Sequence, residues 1–347
     1  MGLGGEGHTQ FEPYGTASKA GASAAERFAY TPRLTVFANS QESTLGAKPL
    51  DCMFSGEETS NDEHIIPRWM QRRFDLAQQT YNLPNGTRIQ YRHAKIPVAQ
   101  SHNTRFSQIE DRISRNEATS EEIFLWAMKV HIGLIYRSAS LKIDIRVPTS
   151  PTFWTPNDFG QEVWLFRTLY KVWSEGGTIS PNPFGTVFRA KALTPQPDFD
   201  FIHNMQAGVL FFQLGDEIIL VVLYDQGRNA QSNIAQQFEG HREYLNGMPT
   251  DDRQDAGFVG QRVWACETAY FHYRSRQGLS FISSENSFHV VPPMNWRDTR
   301  PAEEKELSSF CRSFGLKLEK FGGEVGNIFS NLTAEDFADF RSGSTSP

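Results

Sequence analysis

Apolar positions in residues 1–45 are scattered among Gly, Ala, Ser and Thr and define no face except around 34–37, which predicts a flexible or loosely docked leader. From 49 to 66 short extended pieces surround a Ser55-Gly56-Glu57 turn, and 68–76 has room for a helical turn or two. Asn85-Gly86 predicts a hairpin because both residues tolerate positive φ, with 88–91 and 95–99 as the strand candidates after it. Phe106, Ile109 and Ile113 recur at helical spacing, so 104–114 reads as an amphipathic helix. Thr119-Ser120-Glu121-Glu122 is a capping box that opens a largely buried helix over 123–136, and His131 inside it reads as a packed core residue. A further helix over 161–173 ends at Gly176-Gly177. The strongest strand patterns, 186–190, 209–213 and 217–224, predict an antiparallel sheet with Leu214-Gly215-Asp216 turning between the last two. Residues 263–274 fit helix or strand, 281–291 reads as extended, Pro301 opens a helix through 314, and a short helix is expected over 335–340.

Composition narrows the class. The 347 residues exceed the usual single-domain size, and 39% apolar with 13% aromatic residues excludes a wholly disordered chain. The longest apolar runs are strand-sized, so no membrane span or membrane partner is expected. Three cysteines, Cys52, Cys266 and Cys311, suit neither a disulfide scaffold nor a four-cysteine zinc site. With no secretory pattern in residues 1–6, a cytoplasmic location is expected. Gly2 to Gly7 fits the dinucleotide pattern GxGxxG by letter alone, since no strand precedes it and no apolar helix follows. The formal net charge of −6 hides an asymmetry: residues 63–115 hold nine Arg or Lys against four acids, a local +5 that leaves −11 for the rest. That pattern fits a phosphate-facing module on an acidic body, and it also fits solvated helix faces.

Two segments carry the chemistry. Glu63-His64-Ile65-Ile66-Pro67-Arg68-Trp69 sets an acid directly before a histidine in a strand-like run, and Lys95-Ile96-Pro97-Val98-Ala99-Gln100-Ser101-His102-Asn103 leads into a helix. Together they resemble the HNH endonucleases, in particular the subgroup with an EHxxPxW strand and a VPxCxxCN turn. The resemblance covers 49–114 and implies a ββα-metal site in which Glu63 and Asn103 hold one divalent cation, Mg²⁺ or Mn²⁺, and His64 activates water. These residue types suit the task. Phosphodiester hydrolysis needs a general base and a cation for developing charge, and carboxylate and amide oxygens are hard ligands. Arg68, Arg92, Lys95 and Arg105 are the candidates to reach nucleic-acid phosphates. Where the subgroup carries zinc-ribbon cysteines, this chain reads Cys52-Met53-Phe54-Ser55 and Ala99-Gln100-Ser101-His102. Cys52 and His102 alone do not close a tetrahedral site, so no structural zinc is expected.

The expectation is an α+β chain: a leader (1–45), an HNH-like ββα-metal module (46–116), a larger α+β domain with an antiparallel sheet that recognises substrate or partner (117–300), and C-terminal helices and tail (301–347). The expected activity is metal-dependent cleavage of nucleic acid, DNA favoured, with a protein partner for the acidic C-terminal domain. The alternative is a catalytically inactive nucleic-acid or protein interaction module derived from an HNH nuclease.

Overall fold

Local signals account for many of the observed boundaries. A computed structural model describes residues 51–316 apart from 84, 86, 140, 153–158, 196, 226–229, 250–252, 276–279, 285–286 and 292–303. The leader over 1–45 and the helix expected over 335–340 lie outside the described residues. Strand β1 (Asn61–His64) is followed by the short helix α1 (Arg68–Arg73), where Pro67 ends the extended run. The hairpin expected at Asn85 joins β2 (Thr80–Asn82) to β3 (Arg88–Gln90), and Asn85 Oδ1 accepts from the Thr87 N–H and hydroxyl. Next come β4 (Lys95–Val98), α2 (Gln100–Ser114) and α3 (Ser120–Ala139). The capping box ahead of α3 closes in both directions: the Thr119 N–H donates to Glu122 Oε2 (3.0 Å) and the Glu122 N–H to Thr119 Oγ1 (3.3 Å).

Helix α4 (Gly160–Ser174) precedes the short strand β5 (Thr178–Ser180), and then β6 (Thr186–Lys191), β7 (Phe199–Asn204), β8 (Val209–Leu214) and β9 (Glu217–Val222) form a four-stranded sheet. Its order is β6-β9-β8-β7, with every pairing antiparallel. Helices α5 (Ala230–Asn246) and α6 (Arg253–Ser275), the hairpin β10 (Ser280–Ser284) and β11 (Ser287–Val291), and α7 (Glu304–Ser313) complete the described chain. The architecture is α+β.

The sheet is covered on both faces, which explains its near-continuous apolar strands. In β8, Leu210, Phe212 and Leu214 enter the core shared with α3 and α4, whereas Val209 and Phe211 enter a second core with α5, α6 and α7. On the first face Trp126 of α3 packs on Phe212 with ring centroids 4.5 Å apart, and on the second Phe238 of α5 packs on Trp264 of α6 at 4.8 Å. Burial between layers also resolves the 263–274 segment. It is the C-terminal half of α6, with Val263, Trp264, Ala265 and Cys266 fully buried, so its apolar pattern has no single face. Strand β7 and helix α5 do not stand out in the sequence, because β7 is interrupted by Asp200, His203 and Asn204 and α5 is mostly polar. No helix of the described residues is long and apolar enough to cross a membrane.

One core runs from Cys52 to Tyr224, so the segment carrying the Glu63-His64 pair and the layered sheet share their interior through α3. Gly133 lets α3 lie close against the strands. A Cβ there would stand 3.2 Å from Ile65 and 3.3 Å from Ile96. Around Cys52 the chain folds into a tight turn: the Gly56 N–H donates to Cys52 O (2.7 Å), the Cys52 N–H to Glu57 O (2.8 Å), and the Ala99 N–H to Cys52 Sγ (3.2 Å). Gly56 takes φ +77° and has the Arg167 guanidinium directly above it. Arg167, from α4, donates to Met53 O (3.2 Å), Cys52 O (2.9 Å) and the Tyr136 hydroxyl (2.8 Å). Phe54 fills the rest, against Phe106, Phe166 and Tyr170. Arg167→Ala removes charged donors from two half-buried carbonyls and is expected to cost about 2–3 kcal/mol. A lowered urea midpoint at unchanged denaturant slope checks this.

Candidate active site

Strands β1 and β4 pair antiparallel, with Glu63 opposite Ile96 and His64 opposite Lys95, and β4 runs through Ala99 directly into α2. The start of α2 is tied back to β1: the Gln100 N–H donates to Ser60 Oγ (3.1 Å), and Gln100 Oε1 accepts from Asn61 Nδ2 (2.8 Å). The result is a strand, strand and helix in that order, with Glu63 and His64 at the end of the first strand and Asn103 in the helix.

Asn103 does not open the helix. The sequence places the start at 104, but α2 begins at Gln100, and the Asn103 N–H already donates to Ala99 O (3.1 Å). The Ser60 hydroxyl, reaching over from the β1 side, accepts from the Gln100 N–H, one of the first-turn donors that have no partner inside the helix, and so supports a start one turn early. The Asn103 amide side chain makes no hydrogen bond among the described residues and is neither a cap nor a link to Glu63.

His64 is buried except for 7% of its surface, yet among the described residues neither ring nitrogen has a hydrogen-bond partner. Burial holds its pKa below the ordinary 6.5, and Arg68 and Lys95 add to the effect while Glu63 opposes it. The shift favours the neutral imidazole, the form a general base needs. Arg68 at the start of α1 and Lys95 across the strand pair are both exposed and near enough to act on His64 electrostatically. The other two candidate cations are engaged elsewhere. Arg92 donates to Gln90 Oε1 (2.9 Å) and His93 Nε2 (3.1 Å), and Arg105 to Ser174 O (3.3 Å).

Glu63 meets a residue that the sequence pattern does not single out. Lys129, in the apolar middle of α3, is fully buried, and its Nζ donates to Glu63 Oε1 (3.0 Å), Glu110 Oε1 (3.0 Å) and His64 O (2.5 Å), with Ile65 O at 3.4 Å. Burial alone would lower its pKa, but the two carboxylates raise it, and the ammonium stays charged. Burial pushes Glu110 up to about 7 against the pull of Lys129. A lone lysine inside an apolar helix is the signal that would have found this cluster, because a buried ammonium requires acceptors.

The cation implied by the resemblance can be weighed against these donors. The second oxygen of Glu63 and the Asn103 amide are hard donors with no partner among the described residues, so their chemistry fits Mg²⁺ or Mn²⁺. No group of three His, Cys, Asp or Glu side chains able to hold a metal occurs among the described residues. Any cation here would therefore take much of its coordination from water and substrate. At the neighbouring turn His102 bonds the Tyr170 hydroxyl through Nδ1 (3.0 Å) and faces Glu57 through Nε2 (3.5 Å), while Cys52 is buried as a free thiol.

Searches of family models, curated proteins and solved structures return no match to this chain.

The electrostatics of His64 give a two-way test. Its NMR titration midpoint should lie below 6.5, Arg68→Ala should raise it, and Glu63→Gln should lower it further. Because the unfolded chain takes up this proton near 6.5 and the folded chain does so only at lower pH, the same residue makes stability fall as pH drops below 6.5. Midpoints that move in the opposite directions would show that His64 does not sit in this field.

Proposed function

We propose that the chain is a metal-dependent endonuclease that hydrolyses phosphodiester bonds of nucleic acid, with DNA the favoured substrate. The observation that carries this reading is His64, a buried imidazole at the end of a strand, directly after a carboxylate, whose ring nitrogens have no partner among the described residues and whose charged form is disfavoured by burial and by the exposed Arg68 and Lys95. In this reading His64 takes a proton from the attacking water, and its lowered pKa keeps it ready to do so at neutral pH. Arg68 and Lys95 bind the phosphates that flank the scissile bond and orient them toward the imidazole. Glu63 and Asn103, both hard oxygen donors, would hold the divalent cation. When bound, that cation supplies charge stabilisation for the leaving oxygen. Arg92 and Arg105 contribute to the wider electrostatic footprint. The three buried free cysteines suit a cytoplasmic setting.

A second reading has its own observation in favour. Lys129 already places a full positive charge on Glu63, where the cation is expected, and such a site would bind nucleic acid or a protein without cutting.

Plasmid nicking with Mg²⁺ or Mn²⁺, beside the same assay in EDTA, separates the two. Cleavage that EDTA abolishes is expected. His64→Ala should lose activity by several orders of magnitude while keeping its fold. Asn103→Ala should raise the metal concentration needed for cleavage, whereas Asn103→Asp should retain part of the activity because a carboxylate still ligates. Wild-type protein that binds DNA but never nicks it would establish the second reading.

A further inference from the structure

We infer that Lys129 is a positioning residue for the Glu63-His64 pair, an inference that rests on the nuclease reading and deepens it. Its Nζ carries three protons and lies within 3.0 Å of three acceptors: a side-chain oxygen of Glu63, a side-chain oxygen of Glu110 and the backbone carbonyl of His64. One ammonium thus grips both the side chain expected to meet the cation and the backbone that carries the expected base. The grip comes from below the strands, on a helix that is buried along most of its length, so it does not depend on substrate or cation being present.

The anchor is rigid for identifiable reasons. Lys129 has no exposed surface, its ammonium stands 6.0 Å from the Phe106 ring centroid, and Gly133 one turn further along α3 allows the close approach to Ile65 and Ile96. Glu110 completes the charge balance from α2, seven residues and therefore about 10 Å of helix rise beyond Asn103. Asn103 and Glu110 stand on nearly the same face of α2, because seven residues are almost two full turns. Lys129 consequently ties Glu63 to α2 at Glu110, and α2 is the helix that also carries Asn103, the other expected ligand.

The test must separate positioning from folding and from simple charge. Lys129→Met alone strands two carboxylates and is expected to lower the melting temperature. The double variant Lys129→Met with Glu110→Gln removes the buried ammonium and its buried carboxyl partner together, so no unpaired carboxylate is left at position 110 and much of the stability should return. Mn²⁺ binding to the full chain, read by EPR of free Mn²⁺, and plasmid nicking are then measured on wild type, the double variant and Glu110→Gln. The inference expects the double variant, folded by circular dichroism, to bind Mn²⁺ at least fivefold more weakly and to nick at least tenfold more slowly than both wild type and Glu110→Gln. Binding and nicking at wild-type levels in the double variant would overturn it and leave the nuclease reading intact. Tighter Mn²⁺ binding would also overturn it, because that is the signature of a neighbouring charge and not of a holder. Wild-type protein that neither binds Mn²⁺ nor nicks DNA would sink the nuclease reading, and the positioning role with it.

Discussion

The structure around the Glu63-His64 pair depends on keeping one ammonium charged inside an apolar helix. Stripped of water, Lys129 costs several kcal/mol unless its protons find acceptors in good geometry. Those acceptors come from two places in the chain, the end of β1 and the middle of α2, so the requirement locks three elements together at one point. Buried charge pairs of this kind contribute little to net stability when compared with a well-packed apolar core. What they impose is register. A slip of β1 by one residue would turn Glu63 away from Lys129 and leave Glu110 as its remaining carboxylate partner among the described residues.

A second constraint acts at the turn before β1. A turn of this kind can be held by a four-ligand metal site, whereas here the described contacts are made by Arg167, the Cys52 thiol and a cluster of aromatic rings. The two solutions differ physically. A metal site concentrates its binding energy in four ligands, whereas this turn spreads it over a planar guanidinium that bonds two backbone carbonyls and over Phe54 packed among Phe106, Phe166 and Tyr170. The second solution requires neighbours from α4, so the turn is only as firm as the helix layer behind it.

The elements legible in the sequence are those with one exposed face or a local signal. The capping box of α3, the Gly pair after α4, the Asn85 hairpin and the three apolar strands all follow from short-range chemistry. Strand β7 and helix α5 do not, because their apolar positions are few and become a core only when opposed by α7 and β6. The candidate site divides in the same way. Glu63 and His64 stand out as an acid-histidine pair in an extended run, and β4 and α2 follow from the local patterns over 95–99 and 104–114. The start of α2 was not legible, because it is supported by Ser60, forty residues away. Nor were the partners of Glu63, because Glu110 looks like an ordinary surface acid until α3 presents a lysine to it.

Helix α3 joins the two halves of the molecule in a way that bears on how the site is kept. One side presents Lys129 and Gly133 to the paired strands, and another presents Trp126 to Phe212 of the sheet. From the same helix His131 reaches His203 on β7 (2.7 Å) and the Tyr224 hydroxyl (3.0 Å). The described geometry around His64 is therefore not the property of residues 46–116 alone, since the lysine that holds it lies beyond their end and is itself held by the sheet. A segment of this size has too little buried surface to fix its side chains alone. In this chain the missing rigidity is supplied by the larger α+β layer structure, through a helix that is core on both sides.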